Sequence, residues 1–148
     1  MKKDLNYLKI VHGGLIAGAI GFLLVTFYII KVTGGFINDP EFAQTMLIVA
    51  NIISPLSIIG GVIIFQKQIK GIEKLEISEK LMKYRGAMLV RSATIEGACF
   101  LFIVCALQTG SMVFFFEAIF CLVILIFFFP TSYRIAKEIK RDLRDFDQ

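Results

Sequence analysis

The chain has no tryptophan, one histidine, three prolines and three cysteines in 148 residues. A lone His12, with no Asp or Glu at ligand spacing, argues against a metal site. Near the end of an apolar run it reads as a solvated or hydrogen-bonded side chain. Cys99, Cys105 and Cys121 are odd in number, lie inside apolar blocks and form no C-x-x-C pair. That pattern excludes a disulfide framework and fits small buried apolar side chains. Catalytic signatures are missing too: there is no G-x-S-x-G, H-E-x-x-H, P-loop or G-x-G-x-x-G. A non-enzymatic protein without cofactor or metal is therefore expected. The lack of tryptophan beside 15 phenylalanines excludes nothing.

Charge is also scarce. Charged residues make up 19% of the chain and hydrophobic ones 57%, with a mean hydropathy of +0.76. Soluble domains average about 45–50% apolar residues. The net charge of +4 is carried by lysines and arginines that flank apolar blocks. No basic patch interleaved with aromatics is present, so no nucleic-acid partner is expected. The lipid bilayer is the expected surroundings.

Four apolar blocks stand out, at about 10–30, 46–65, 87–107 and 112–129, each near the ~20 residues that cross a hydrocarbon core. Continuous apolar runs without alternation exclude a β-barrel. Lys2 and Lys3 before the first block resemble a secretory signal, but the block is long and lacks a small-residue cleavage site. The reading is a retained helix. The expected fold is all-α: a four-helix transmembrane bundle over residues 1–148, one integral membrane domain, ending in a short amphipathic cytoplasmic helix.

The connections carry the orientation. Gly34, Gly35 and Asp39-Pro40 mark a turn after the first block, and Gln108-Thr109-Gly110-Ser111 a tight one between the third and fourth. Residues 66–86 form a charged loop, with Ser78 expected as a helix N-cap and Glu76/Lys80 and Glu79/Lys83 as supporting pairs. Lysines and arginines gather before the first block, in this loop and after the fourth block, while the other two loops hold only Lys31. The positive-inside rule then places both termini and the charged loop in the cytoplasm. Tyr7, Tyr28, Tyr84 and Tyr133 are expected at the membrane–water boundaries. In the tail, residues 131–148, Thr131 or Ser132 can cap a helix whose stripe is Ile135, Ile139, Leu143 and Phe146. That helix reads as a basic stop-transfer tail or an interfacial or partner-binding anchor. The loop-poor layout points to a bacterial inner (plasma) membrane.

Glu96 is the leading site candidate. An ionisable group near mid-membrane costs on the order of 2.5–3.5 kcal/mol on insertion scales, so it must be neutral, paired or facing a wet cavity. It reads either as a proton or cation site or as a lock between helices. Arg91 lies near the cytoplasmic end, about 140° around the helix from Glu96, so the two are expected to pair with other helices. Glu117 sits about 9 Å nearer the opposite face, and a relay from it to Glu96 would need a water chain. Asn51, Ser54 and Pro55 fall at a depth where the freed Asn51 carbonyl and the Ser54 hydroxyl could meet Glu96. Gly14, Gly18 and Gly21, with Ala17, make small-x-x-x-small patterns, and Ala93 with Gly97 makes another. These are expected to pack the first and third helices together, or to receive another copy.

The stretch Arg85-Gly86 through Ile95-Glu96-Gly97 resembles the second helix of the rotary ATPase c subunit, which also follows a cytoplasmic hairpin and carries a mid-membrane carboxylate. The second block here lacks that family's glycine repeat and the loop is longer. The resemblance implies a chemistry for Glu96, proton or cation binding, and no membership. Two functions follow as expectations. One is an accessory, assembly or partner-binding subunit, joined to a membrane protein or to copies of itself. The other is an oligomeric proton or cation translocator using Glu96.

Overall fold

The computed structural model describes residues 2–37 and 39–139. These fold into five α-helices: α1 Lys2–Thr33, α2 Pro40–Ile69, α3 Ile77–Thr109, α4 Met112–Phe127 and α5 Ser132–Glu138. No strand occurs among the described residues. α2 starts where Asp39 Oδ1 accepts from the backbone N–H of Glu41 (2.9 Å) and Phe42 (3.4 Å), with Pro40 at the first helical position. Both choices suit a helix N-terminus, because orphan donors are satisfied and a proline gives up none. α3 ends at Gly110, whose φ of 68° is left-handed and favours glycine.

α1, α2 and α3 are long and apolar enough to cross a membrane. α4 has 16 residues, about 24 Å, which falls short of a ~30 Å hydrocarbon core. It can count as a fourth span only together with α5, which leaves it at a bend of 74°. Much apolar surface faces outward, as on Leu24 of α1 and Leu56 of α2.

α3 is the hub and packs against α1, α2 and α4. One core cluster joins Ala19 and Leu23 of α1, Ala50 of α2, Ala98, Phe102 and Ala106 of α3, and Phe114 and Ala118 of α4. The other sits at one end and joins Leu8, Phe65, Tyr84 and Met88 to Ile135 and Ile139 of α5. At the opposite end the two short connections clasp. Phe36 and Ile37 N–H donate to the Gln108 carbonyl at 3.0 and 2.7 Å, and Gly110 lies against the Gly34 carbonyl, leaving no space there for a side chain.

Several expectations change. α2 runs on to Ile69, beyond its expected end, while α3 begins at Ile77, inside the 66–86 connection as the expected Ser78 cap implied, leaving residues 70–76 with a 3-10 turn at Ile72–Lys74. Glu76, not Ser78, occupies the α3 N-cap, and its side chain makes no capping bond. Tyr84 is fully buried rather than at a wet boundary, whereas Tyr7, Tyr28 and Tyr133 are exposed. Thr131 does cap the tail helix, accepting from Arg134 N–H at 3.2 Å. Ile135 and Ile139 pack inward instead of forming a free anchor, because Phe65, Tyr84 and Met88 offer an apolar face. Leu143 and Phe146 lie outside the described residues, as do Lys140, Arg141 and Arg144.

Of the two expectations for the small residues, the packing of α1 on α3 through them fails for a geometric reason. α1 buries Leu8, His12, Ala19, Leu23, Thr26 and Ile30, one narrow stripe. At about 100° per residue, Gly14, Ala17 and Gly21 fall roughly opposite that stripe and Gly18 on its flank, and all four are exposed. A side chain added at Gly14, Gly18, Gly21 or Gly97 would meet nothing within 4 Å, and Ala93 is exposed. The glycine that does set a close helix approach is Gly61 of α2. A Cβ there would come within 2.9 Å of Thr94 Cβ on α3.

Candidate functional site

Two polar clusters interrupt the apolar packing. The first lies where α5 folds back on α3. Arg91 is buried, at 2% exposure. Its guanidinium donates to Glu138 Oε1 at 3.2 Å and sits between the Phe65 and Phe128 rings, 3.7 and 4.5 Å from their centroids. Tyr84 O–H donates to Glu138 Oε2 at 2.6 Å, so both carboxylate oxygens of Glu138 are held by α3. A buried cation needs such compensation, since desolvation costs several kcal/mol per ion. The aromatic faces add electrostatic attraction.

His12 ties three helices beside this pair. Its Nε2 is 2.9 Å from the Leu125 carbonyl and its Nδ1 is 3.0 Å from Ser92 Oγ. A carbonyl only accepts, so Nε2 carries the proton, and Nδ1 is free to accept from the serine hydroxyl. The Phe129 ring meets the imidazole edge-on at 5.6 Å. Every polar atom of His12 is thereby used within the fold, which makes it a structural tie.

The second cluster is between α2 and α4. Asn51 Nδ2 donates to the Leu47 carbonyl (3.0 Å) and to Glu117 Oε1 (2.9 Å). Ser54 is buried at 1% exposure, and neither its Oγ nor Glu117 Oε2 has a hydrogen-bond partner among the described residues. These three residues line a groove of about 460 Å³ whose remaining walls are Pro55, Ile58, Phe102, Val113, Phe116, Phe120 and Cys121.

The sequence candidates are thus divided. The structure brings Asn51, Ser54 and Glu117 together, but around Glu117 and not around Glu96. Ser57, one turn on, donates to the Thr94 carbonyl at 3.2 Å and fastens α2 to α3. Arg91 pairs with α5, not with its own helix. Glu96 is half-buried and makes no hydrogen bond or ion pair among the described residues. It does not line the groove that Glu117 lines.

Sequence reasoning missed Glu138, Gly61 and the Ser92–His12 bond. Glu138 had a signal: it is the only acid between Thr131 and Arg141 and shares a helical face with Ile135 and Ile139. Gly61 had none beyond its pairing with Gly60. The described residues hold no group of three or more His, Cys, Asp or Glu placed to bind a metal. No family model matches the chain, and no curated protein or solved structure matches it.

Proposed function

We propose that this chain is a non-enzymatic, partner-binding or assembly subunit of a bacterial inner membrane, a four-helix bundle with α4 and α5 together completing the fourth span. Both termini and the 70–76 connection lie in the cytoplasm. One observation carries the functional reading: the Gly14, Ala17, Gly18, Gly21 stripe points away from α3. In lipid, helices associate through close packing of small residues, and here such a face is left to another helix, from a membrane protein or a second copy. The clustering of Lys67, Lys70, Lys74, Lys83, Arg134 and Lys137 near one end of the bundle supports the orientation.

The test uses the open space at these glycines. A Cβ added at Gly14 or Gly18 meets nothing within 4 Å, so Gly14→Leu and Gly18→Leu should leave the unfolding midpoint unchanged. Association should be lost, read as mass in detergent or nanodiscs and as co-purified membrane protein. A wild-type chain that is monomeric and brings down no partner overturns the reading, as does a Gly18→Leu variant that associates normally. Glu96 favours a second reading, an oligomeric proton or cation translocator, because its half-buried carboxyl has no partner among the described residues.

A further inference from the structure

The groove between α2 and α4 is set apart from the α1 face used above, and it has features that plain lipid contact does not require. Seven of its ten lining residues are apolar, three of them phenylalanines, and the other three are polar. Two of their atoms, Ser54 Oγ and Glu117 Oε2, are buried without a partner. Burying such a group unpaired is destabilising, more so for a charged one.

The chemistry of the open positions favours a donor. Both amide hydrogens of Asn51 are already spent, on the Leu47 carbonyl and on Glu117 Oε1. That assignment is forced, because the Leu47 carbonyl can only accept. Ser54 and Glu117 both line the groove, and the atoms left unpaired are a carboxyl oxygen and a hydroxyl that can accept or donate. A donor satisfies both, and a cationic one best matches a carboxylate. The groove's size matches one small molecule: pockets for such ligands run about 300–1,000 Å³, with apolar walls and a few placed polar groups. A partner helix would need a trough along the whole bundle, whereas this groove is confined between Asn51 and Ile58 on α2 and between Val113 and Cys121 on α4.

We propose that the α2–α4 groove is a binding site for a lipophilic amine, its ammonium on Glu117 Oε2 and Ser54 Oγ and its apolar body along Phe116 and Phe120. α4 supplies the carboxylate and α2 the serine. Asn51 is a positioning residue that holds the Glu117 carboxyl by Oε1 and leaves Oε2 for the amine.

The experiment places the full chain in nanodiscs of zwitterionic lipid and adds a diazirine-bearing decylamine or the matching decanol. After irradiation, labelled peptides are read by mass spectrometry. The amine should label peptides containing Phe116 and Phe120, and unlabelled decylamine should compete about tenfold to a hundredfold better than decanol, the range expected for one charge-assisted hydrogen bond. Glu117→Gln should erase that preference, and Val113→Trp should block labelling by both compounds. If Glu117→Gln does not fold, the amine-to-alcohol comparison on the unaltered chain still decides. Equal labelling and competition by amine and alcohol overturn the proposal and leave the groove an ordinary lipid contact. Amine labelling elsewhere in the chain overturns it as well.

Discussion

Arg91 and Glu138 stand 47 residues apart in the chain and meet at 3.2 Å, with the guanidinium at 2% exposure and clasped between Phe65 and Phe128. The pair fixes α5 across the end of the bundle. Without it, an apolar face made by Phe65, Tyr84 and Met88 would lose the cover that Ile135 and Ile139 provide.

Removing one partner should therefore hurt more than removing both. Glu138→Leu strands the buried guanidinium and should cost about 3–5 kcal/mol, the usual penalty for breaking a buried pair. The double variant Arg91→Met/Glu138→Leu should recover much of that loss, because no uncompensated charge is left. Denaturant unfolding in a mild detergent checks both. A double variant less stable than Glu138→Leu alone would contradict the pairing.

Adjacent glycines in α2 should respond in opposite ways. Gly61→Val drives a side chain into Thr94 and should destabilise by roughly 1–3 kcal/mol, as overpacking does. Gly60→Ala meets nothing within 4 Å and should be neutral or slightly stabilising, since alanine favours helix over glycine by up to about 1 kcal/mol. Thermal unfolding of the two variants reads the contrast.

Topology can be read with thiol chemistry, because Cys99, Cys105 and Cys121 are all buried. In intact cells a membrane-impermeant maleimide should label Phe36→Cys, in the α1–α2 connection, and spare Lys74→Cys. Inverted vesicles should reverse the result. Labelling of both from one side would remove the proposed orientation.

Glu96 separates the two functional readings. A partner-binding subunit should leave pH and sodium gradients intact in liposomes, and Glu96→Gln should still co-purify its partner. A translocator should dissipate one of these gradients and stop when Glu96 becomes glutamine. Carbodiimide labelling of Glu96 that varies with pH would accompany only the second behaviour.

Helix class was legible in the chain because lipid-compatible apolar blocks are a one-dimensional property: length and composition suffice for α1, α2 and α3. The Thr131 cap was legible too, since a cap depends on neighbours a few residues away. The bend after α4 was not, because its 16-residue helix looks like any short apolar run until α5 turns by 74°.

The site shows the same division. Asn51, Ser54 and Glu117 could be picked out as polar residues in apolar blocks, but which carboxyl Asn51 serves depends on how α2 and α4 rotate about their axes. The small-residue stripe of α1 was visible as a pattern, yet only packing showed that Leu8, His12, Ala19 and Leu23 take the inner face and turn the glycines outward. Composition and local spacing act along the chain and so decide the helices. Rotation, register and long-range pairing, such as Arg91 with Glu138, are decided by side chains meeting across helices, and the tertiary structure alone determines those contacts.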